Sequence, residues 1–336
     1  MVRPLKWGIL GAARIAGKSL IPAFRASGAE VVAVGASGGE KAQSFAKEFG
    51  IAKAYEGYQR VIDDPNVEAI YLPLANGLHK EWAIKTAQAG KACLCEKPMV
   101  MTTADAREIC DAFSNSGAVI QEAFMWRHHP QIAWIREQIE KGVLGELRSV
   151  HAQFSFTLDR PSDYRWKIDQ GGGAFWDIGC YCVNSTRLFF GCEPQVVSAR
   201  GVFGEDPYAS RGVDASMAGW LDFGSNRLGT FTCSFTAAFA EGIELVGTNG
   251  RAWMSRPWLQ AGGMPLILIE EDNSRQKKEF EAENGYVPMI QSFTAAVRSK
   301  SVGLGIGEDG VKQAAAMEGL MKSAEDEGAV QTVGHE

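Results

Sequence analysis

Apolar runs and turn residues alternate regularly along the first third of the chain. LKWGILG reads as a short apolar strand entering a Gly/Ala turn. ARIAGKSLIPAFRAS follows at helical spacing, with Pro22 placed to kink or break it. EVVAVGAS is β-branched and apolar, and EKAQSFAKEFG returns to the helical period. EAIYLPLA and KACLCEKP are further strands, separated by the helix HKEWAIKTAQAG, which stops at Gly90. TTADAREICDAFSNSG opens on a threonine cap and closes on Gly117, and AVIQEAF is the fifth strand. Apolar strands alternating with helices predict a doubly wound parallel sheet with helices on both faces.

The pattern changes after residue 124. One more helix, PQIAWIREQIEKGVLG, precedes a series of strands: LRSVHAQFSFTL, QVVSARGVFG, VDASMAGWLDF, RLGTFTCSFTAAF, GIELVGTNG, RAWMS and PLILIEED. Several alternate apolar and polar residues, as in a sheet with one face turned to solvent or to a partner. A helical insert, AFWDIGCYCVNSTRLFFG, follows Gly171–Gly173, and two helices near 287–299 and 307–326 close the chain. The expected fold class is α/β: a nucleotide domain over residues 1–124, then a substrate-binding and oligomerisation domain over residues 125–336. The latter is α+β, built on a large, mainly antiparallel open sheet.

Composition narrows the partners. The chain has 336 residues, 46% hydrophobic, and a net charge of −6, which disfavours nucleic acid and anionic membrane surfaces. No run approaches the roughly 18–20 apolar residues of a membrane span. The first residues lack the charged, apolar and cleavage regions of a signal peptide, so the expected location is cytoplasmic. Seven cysteines, an odd count, fit reduced thiols rather than a disulfide framework. The pairs Cys93/Cys95 and Cys180/Cys182 lack zinc-site spacing and a histidine cluster, so they read as small buried hydrophobes and no metal is expected. The adjacent His128 and His129 read as packing or cleft-edge residues.

The first candidate chemistry is WGILGAARIA. Gly11 opens the turn, Ala13 stands where a phosphate-binding turn carries its second glycine, and Ala16 takes the third place. With Arg14 and Ile15 these residues begin a helix whose free N–H groups and positive dipole end suit a phosphate. An ordinary βα turn of small residues is the rival reading. At the end of the second strand no acid awaits the ribose hydroxyls. Ser37, two glycines and Lys41 stand there instead, which suits a 2′-phosphate better than a bare hydroxyl. NADP(H) is the preferred cofactor, with NAD(H) possible.

The second is CEKP, residues 95–98, at the end of a strand, where ligands sit in open α/β sheets. Glu96 and Lys97 there could serve a bound cofactor and substrate; taken alone, the tripeptide reads better as a surface salt bridge. The third is GGGAFWDIGCY, residues 171–181, in which Asp177 and Tyr181 fall on one helical face. A tyrosine, with its ordinary pKa of about 10, exchanges a proton only with help, and a lysine supplies it.

Taken in order, WGILGAARIA, LPLANGLHKEWA, AGKACLCEKP, EAFMWRHHP and DYRWKIDQGGGAFWDIGCYCV resemble the Gfo/Idh/MocA oxidoreductases along essentially the whole chain. The likeness is greatest to the dimeric dihydrodiol dehydrogenase and D-xylose dehydrogenase branch. The resemblance implies a Rossmann domain and a homodimer or homotetramer formed through the open sheet. It implies Lys97, Asp177 and Tyr181 as catalytic residues. It places Asn76 and His79 beside the nicotinamide ribose, and Leu74, Glu96, Lys97, Arg165 and Trp166 at the cofactor. Glu122, Arg127 and Tyr164 join Asp177 and Tyr181 as substrate contacts. The chain departs from the family at Ala13 and at Ala36-Ser37, where a Ser-Arg pair is usual. The expected activity is hydride transfer between NADP and an aldose at C1. The alternatives are a keto-sugar (anhydrofructose-like) reductase, a sugar-to-sugar oxidoreductase that retains its cofactor, a trans-dihydrodiol dehydrogenase, and a non-catalytic NADP sensor.

Overall fold

The computed structural model describes residues 3–204, 208–271, 274–300 and 307–334. They form two compact units. The first contains residues 1–100, 104–128 and 284–311; the second contains 101–103, 129–283 and 312–336.

Six parallel strands build the first unit: β1 (Lys6–Leu10), β2 (Glu30–Ala36), β3 (Lys53–Glu56), β4 (Ala69–Leu72), β5 (Ala92–Cys95) and β6 (Ile120–Glu122). Their order is β3-β2-β1-β4-β5-β6, a doubly wound sheet whose order reverses beside β1. Helices α1 (Ile21–Ala26), α2 (Gly39–Phe49), α3 (Gln59–Ile62), α4 (His79–Gln88) and α5 (Thr103–Ser116) connect the strands. β4 and β5 are buried throughout, as parallel strands covered on both faces must be. β3, with the sequence KAYE, is a sixth strand that the hydrophobic pattern did not announce. It lies at the sheet edge and is mostly half-exposed, so it needs no apolar run. Pro22 falls in the first turn of α1, directly after a π-helical segment over Ala16–Leu20. The wider π turn relieves the hydrogen bond that proline removes, so the helix is distorted but continues.

The chain returns to this unit near its end. Helix α8 is Tyr286–Ser299, numbered after α6 (Pro130–Glu140) and α7 (Cys180–Phe190) of the second unit. Its Phe293 ring lies 5.2 Å from Trp7, which also meets Phe24 at 4.8 Å, and all three are buried. Asn284 donates to the Ser19 carbonyl at 3.0 Å, and Arg298 donates to the Arg3 carbonyl at 2.8 Å. A boundary drawn once at 124/125 omits this return, because α8 is packed through side-chain contacts invisible to a local pattern.

The second unit carries a nine-stranded sheet in the order β14-β13-β12-β11-β7-β10-β9-β8-β15. The strands are β7 (Leu147–Ser155), β8 (Val196–Phe203), β9 (Asp214–Asp222), β10 (Leu228–Ser234), β11 (Ala240–Gly247), β12 (Gly250–Met254), β13 (Leu266–Glu271), β14 (Ser274–Glu279) and β15 (Gln331–Thr332). Among the described residues the pairings in this sheet are antiparallel except that of β7 with β10. Val150, Ala152 and Phe154 of β7, with Phe231 and Cys233 of β10, are buried, and α7 packs on these two strands. Intervening residues such as His151, Gln153 and Thr232 point to the other face, which is the alternation expected of such a sheet. α9 (Glu308–Glu325) follows α8. β14, SRQKKE, is exposed along its length and carries no hydrophobic signal; backbone pairing with β13 alone makes it a strand.

Candidate functional site

In the first unit the candidate residues gather at the carboxyl ends of the central strands. Gly11 leaves β1 with φ +117°, and its N–H donates to the Gly35 carbonyl at 2.8 Å. A Cβ at Gly11 would lie 2.9 Å from Leu74 Cδ2, so both its conformation and its closeness to Leu74 need glycine. Ala13 is not among the residues with positive φ, and the missing second glycine therefore carries no backbone strain. Arg14 and Ile15 are exposed and open the helix, leaving its first N–H groups toward solvent. At the end of β2, Ser37 is exposed and hydrogen-bonds the Tyr58 hydroxyl, and Gly38 caps α2, which bears the exposed Lys41. Burial pushes the Tyr58 phenol above its ordinary pKa, against the opposing effect of Ser37. Glu56, at the end of β3, reaches this turn: a Cβ on Gly39 would be 3.3 Å from its Oε2. Neither Tyr58 nor Glu56 carries a local motif, and only the order of strands puts them beside Ser37.

Asn76 is buried in a short 3-10 turn leading into α4. His79 is fully buried, with Nδ1 2.9 Å from the Pro98 carbonyl and Nε2 3.0 Å from the Leu74 carbonyl. Burial pushes its pKa down, although the neighbouring carbonyls act in the opposite sense. Its place is a tie between the loops after β4 and β5. Glu96 is also buried. Its Oε1 accepts from Tyr71 Oη at 2.7 Å, and its Oε2 from the Lys97 N–H at 3.3 Å. Lys97 is half-buried, and its peptide to Pro98 is cis. Glu122 ends β6 and accepts from Met99 N–H at 2.8 Å, which holds the segment following Lys97. Arg127 forms an ion pair with Asp309, its side chain only 8% exposed. His128 is held near pKa 4 by burial and then by Arg127, and it contacts Gln121.

In the second unit, Tyr164, Arg165 and Trp166 form a 3-10 turn whose cap, Asp163, accepts from the Arg165 N–H. Arg165 Nε donates to Asp177 Oδ2 at 2.6 Å, and its Nη1 contacts Asp163 Oδ1 at 3.1 Å. Burial disfavours the guanidinium charge, but Asp177, Tyr164 and Asp163 outweigh it and raise its pKa. Its guanidinium also lies over the Tyr164 ring, 4.8 Å from the centroid. Trp166 is buried edge-on against Phe235, so it is part of the core. Asp177 lies in a π turn, Phe175–Gly179, that leads directly into α7, and Tyr181 is the second residue of that helix. Four residues are close to one turn of either helix form, so the two remain on one face. Tyr181 is 5% exposed, its ring 5.8 Å from Phe154 and 6.0 Å from Trp258, and those two rings stack 5.1 Å apart. Trp258 Nε1 donates to Ser185 Oγ at 3.3 Å, and Ser185 Oγ donates to the Tyr181 carbonyl at 2.7 Å. His129 caps α6 and is held near pKa 4 by burial. No group of three or more potential metal ligands occurs among the described residues.

Comparison with known proteins gives the context. The family model for "Oxidoreductase family, NAD-binding Rossmann fold" matches residues 5–124, and that for "GFO/IDH/MocA C-terminal domain" matches residues 132–253. The chain is 31% identical to a dTDP-3,4-didehydro-2,6-dideoxy-alpha-D-glucose 3-reductase of Streptomyces violaceoruber, over 99% of this chain and 96% of that protein. It is 31% identical to D-xylose 1-dehydrogenase (NADP(+)) 2 of Haloferax volcanii, over 97% and 99% of the two chains. Among solved structures, a 3-ketoreductase from Actinomadura kijaniata in complex with NADP and TDP-benzene superposes with a TM-score of 0.89 at 29% identity, covering 96% of this chain and 98% of that one.

Proposed function

Because the chain belongs to the Gfo/Idh/MocA family of oxidoreductases, we propose that it moves a hydride between NADP and an aldose, at the sugar C1. The observation that carries this reading is the half-buried Lys97 after β5, together with Tyr181 and the paired Asp177 at the start of α7, in a chain with both family domains. The turn at Gly11 fits a dinucleotide: its φ and closeness to Leu74 keep a side chain out, and the helix after it presents N–H groups. Gly11 to Ile15, Ser37, Lys41, Leu74, Asn76 and Lys97 would hold the cofactor, with Glu96 and His79 shaping their loops.

When bound, the nicotinamide supplies a carbon that accepts or returns the hydride. Tyr181 takes the proton of the sugar hydroxyl during oxidation and returns it to the carbonyl oxygen during reduction. Lys97 donates a hydrogen bond to that oxygen, and a cation there favours the ionised phenol. Asp177, tied to Arg165, orients a substrate hydroxyl. Relatives named for 3-keto reduction of dTDP-linked sugars favour a second reading, in which the same residues reduce a keto-sugar.

Near-UV absorbance on mixing concentrated protein with NADP⁺ and a panel of aldoses tests this. Steady NADPH accumulation is expected. A burst equal to the protein concentration and then no change would mean that the cofactor is retained and passes hydride between sugars. NADPH consumption with keto-sugars alone would establish the second reading. NADP⁺ binding with no turnover in any of these assays would leave the non-catalytic sensor.

A further inference from the structure

We propose that Asp214, on a strand that contributes none of the candidate site residues, is a positioning residue that fixes the start of the helix carrying Asp177 and Tyr181. Asp214 is the first residue of β9 and is 1% exposed. Its Oδ2 accepts from the Phe175 N–H at 2.8 Å, and the Ala174 N–H is also directed to its carboxylate. The first amides of a helix have no partner inside it, and a buried carboxylate at their end answers both the missing bonds and the positive end of the helix dipole.

The glycine before these amides shows how closely the carboxylate is seated. Gly173 has φ +128°, and a Cβ there would stand 2.1 Å from Asp214 Oδ1. Its missing side chain therefore makes room for the acid. The Gly173 carbonyl accepts from the Asp177 N–H at 3.1 Å, and the Gly173 N–H donates to the Arg165 carbonyl at 2.9 Å. Asp214 thus locks the point at which the Arg165 segment, whose side chain pairs with Asp177, joins the helix. Its effect reaches the chemistry through the helix, because its contacts are with Phe175, Ala174 and Gly173.

The consequence for turnover rests on the reading of Tyr181 as the proton-transferring group, so the test combines an activity arm with one that needs no substrate. Asp214→Asn keeps the shape and an acceptor, Asp214→Ala removes both, and Gly173→Ala evicts the carboxylate from the other side. Hydrogen exchange of the amides at 174–177, thermal melting, NADPH binding by fluorescence, and kcat and KM are measured on all three. The expected result is lost amide protection in Asp214→Ala and Gly173→Ala, with kcat down roughly ten- to a hundredfold through misplacement of the reacting groups. NADPH affinity should stay within about twofold, and Asp214→Asn should retain most of the activity through its remaining acceptor. Unchanged protection at 174–177 in Asp214→Ala would overturn the proposal. So would lost protection with unchanged kcat, or a parallel collapse of melting temperature, NADPH binding and kcat in both Asp214 variants. If the wild-type protein turns over no sugar, the functional reading falls, and the exchange measurement alone decides whether Asp214 holds the helix start.

Discussion

Tyr181 has almost no freedom to move. Its ring is packed against Phe154 and Trp258, and its carbonyl is tied through Ser185 to the Trp258 indole. Aromatic contacts of this kind contribute about 0.5–1.5 kcal/mol each beyond the area they bury, and here they also fix the direction of the phenol. Replacing Tyr181 by phenylalanine removes one oxygen and leaves that packing intact. A positioned proton donor is worth roughly 10²–10⁴ in rate, so Tyr181→Phe should lose that much kcat in a coupled absorbance assay. NADPH affinity, measured by fluorescence titration, should remain near the wild-type value. Unchanged turnover would move the proton transfer to another group. Arg165 lies in the segment to which the family resemblance gave a cofactor role. The structure adds its 2.6 Å ion pair with Asp177, so its substitution should affect the candidate site from within its own unit.

At the scale of elements, the irregular starts of two helices stand out. The first begins after Gly11 and runs through a π segment before Pro22; the other begins after Gly173 and runs through a π turn into α7. A π turn is a local departure from the regular helix, and such departures are frequent at functional sites. The second helix start also titrates. Burial pushes the Asp214 carboxyl from its ordinary 3.8 up to about 7, despite the N–H groups of Phe175 and Ala174 that favour its ionised form. The folded chain therefore holds this proton more tightly than the unfolded chain does. The resulting stabilisation is complete below the unfolded value and is lost as pH rises through about 7. Asp214→Asn cannot titrate. Its melting temperature should fall less than that of the wild type between mildly acidic and mildly alkaline buffers, as read by scanning calorimetry. Parallel pH profiles for the two proteins would show that Asp214 does not carry this dependence.

At the scale of the whole molecule, the nine-stranded sheet turns one face to α7, and among the described residues no helix of the second unit packs closely on the other face of β7, β9 or β10. Hydroxyls line part of that face. Thr230 contacts His151 at 2.9 Å and Ser216 contacts Ser234 at 2.6 Å, with Arg200, Val202 and Thr232 exposed nearby. We propose that a second copy of the chain pairs here, as the family resemblance implies, giving a homodimer or a homotetramer. Light scattering after size-exclusion chromatography should give twice or four times the chain mass of 36.4 kDa. A charge at Thr232 should shift that mass toward the monomer, and a wild-type monomer at micromolar concentration would exclude the pairing. No helix among the described residues is long and apolar enough to cross a membrane.

The amino-acid pattern alone was enough for the fold class, the parallel sheet of a first unit and the mainly antiparallel sheet of a second. Apolar β-branched strands alternating with helices admit few other arrangements, and alternating strands require a sheet with two unlike faces. It also marked the turn at Gly11, Lys97 before its proline, and the run from Gly171 to Tyr181, because each is a compact local signature. The rest depends on contacts between segments far apart in the chain. β3 and β14 are polar edge strands defined by their neighbours' backbones, so no apolar pattern could mark them. α8 joins the first unit through Trp7, nearly three hundred residues away in sequence. Glu56 and Tyr58 beside Ser37, Trp258 against Tyr181 and Asp214 at the helix start are all contacts between distant segments. Periodicity and spacing report what a segment does with its own neighbours. A carboxylate that meets the first turn of a helix from another strand leaves no local trace, and it enters the picture only when the sheet has brought β9 beneath that turn.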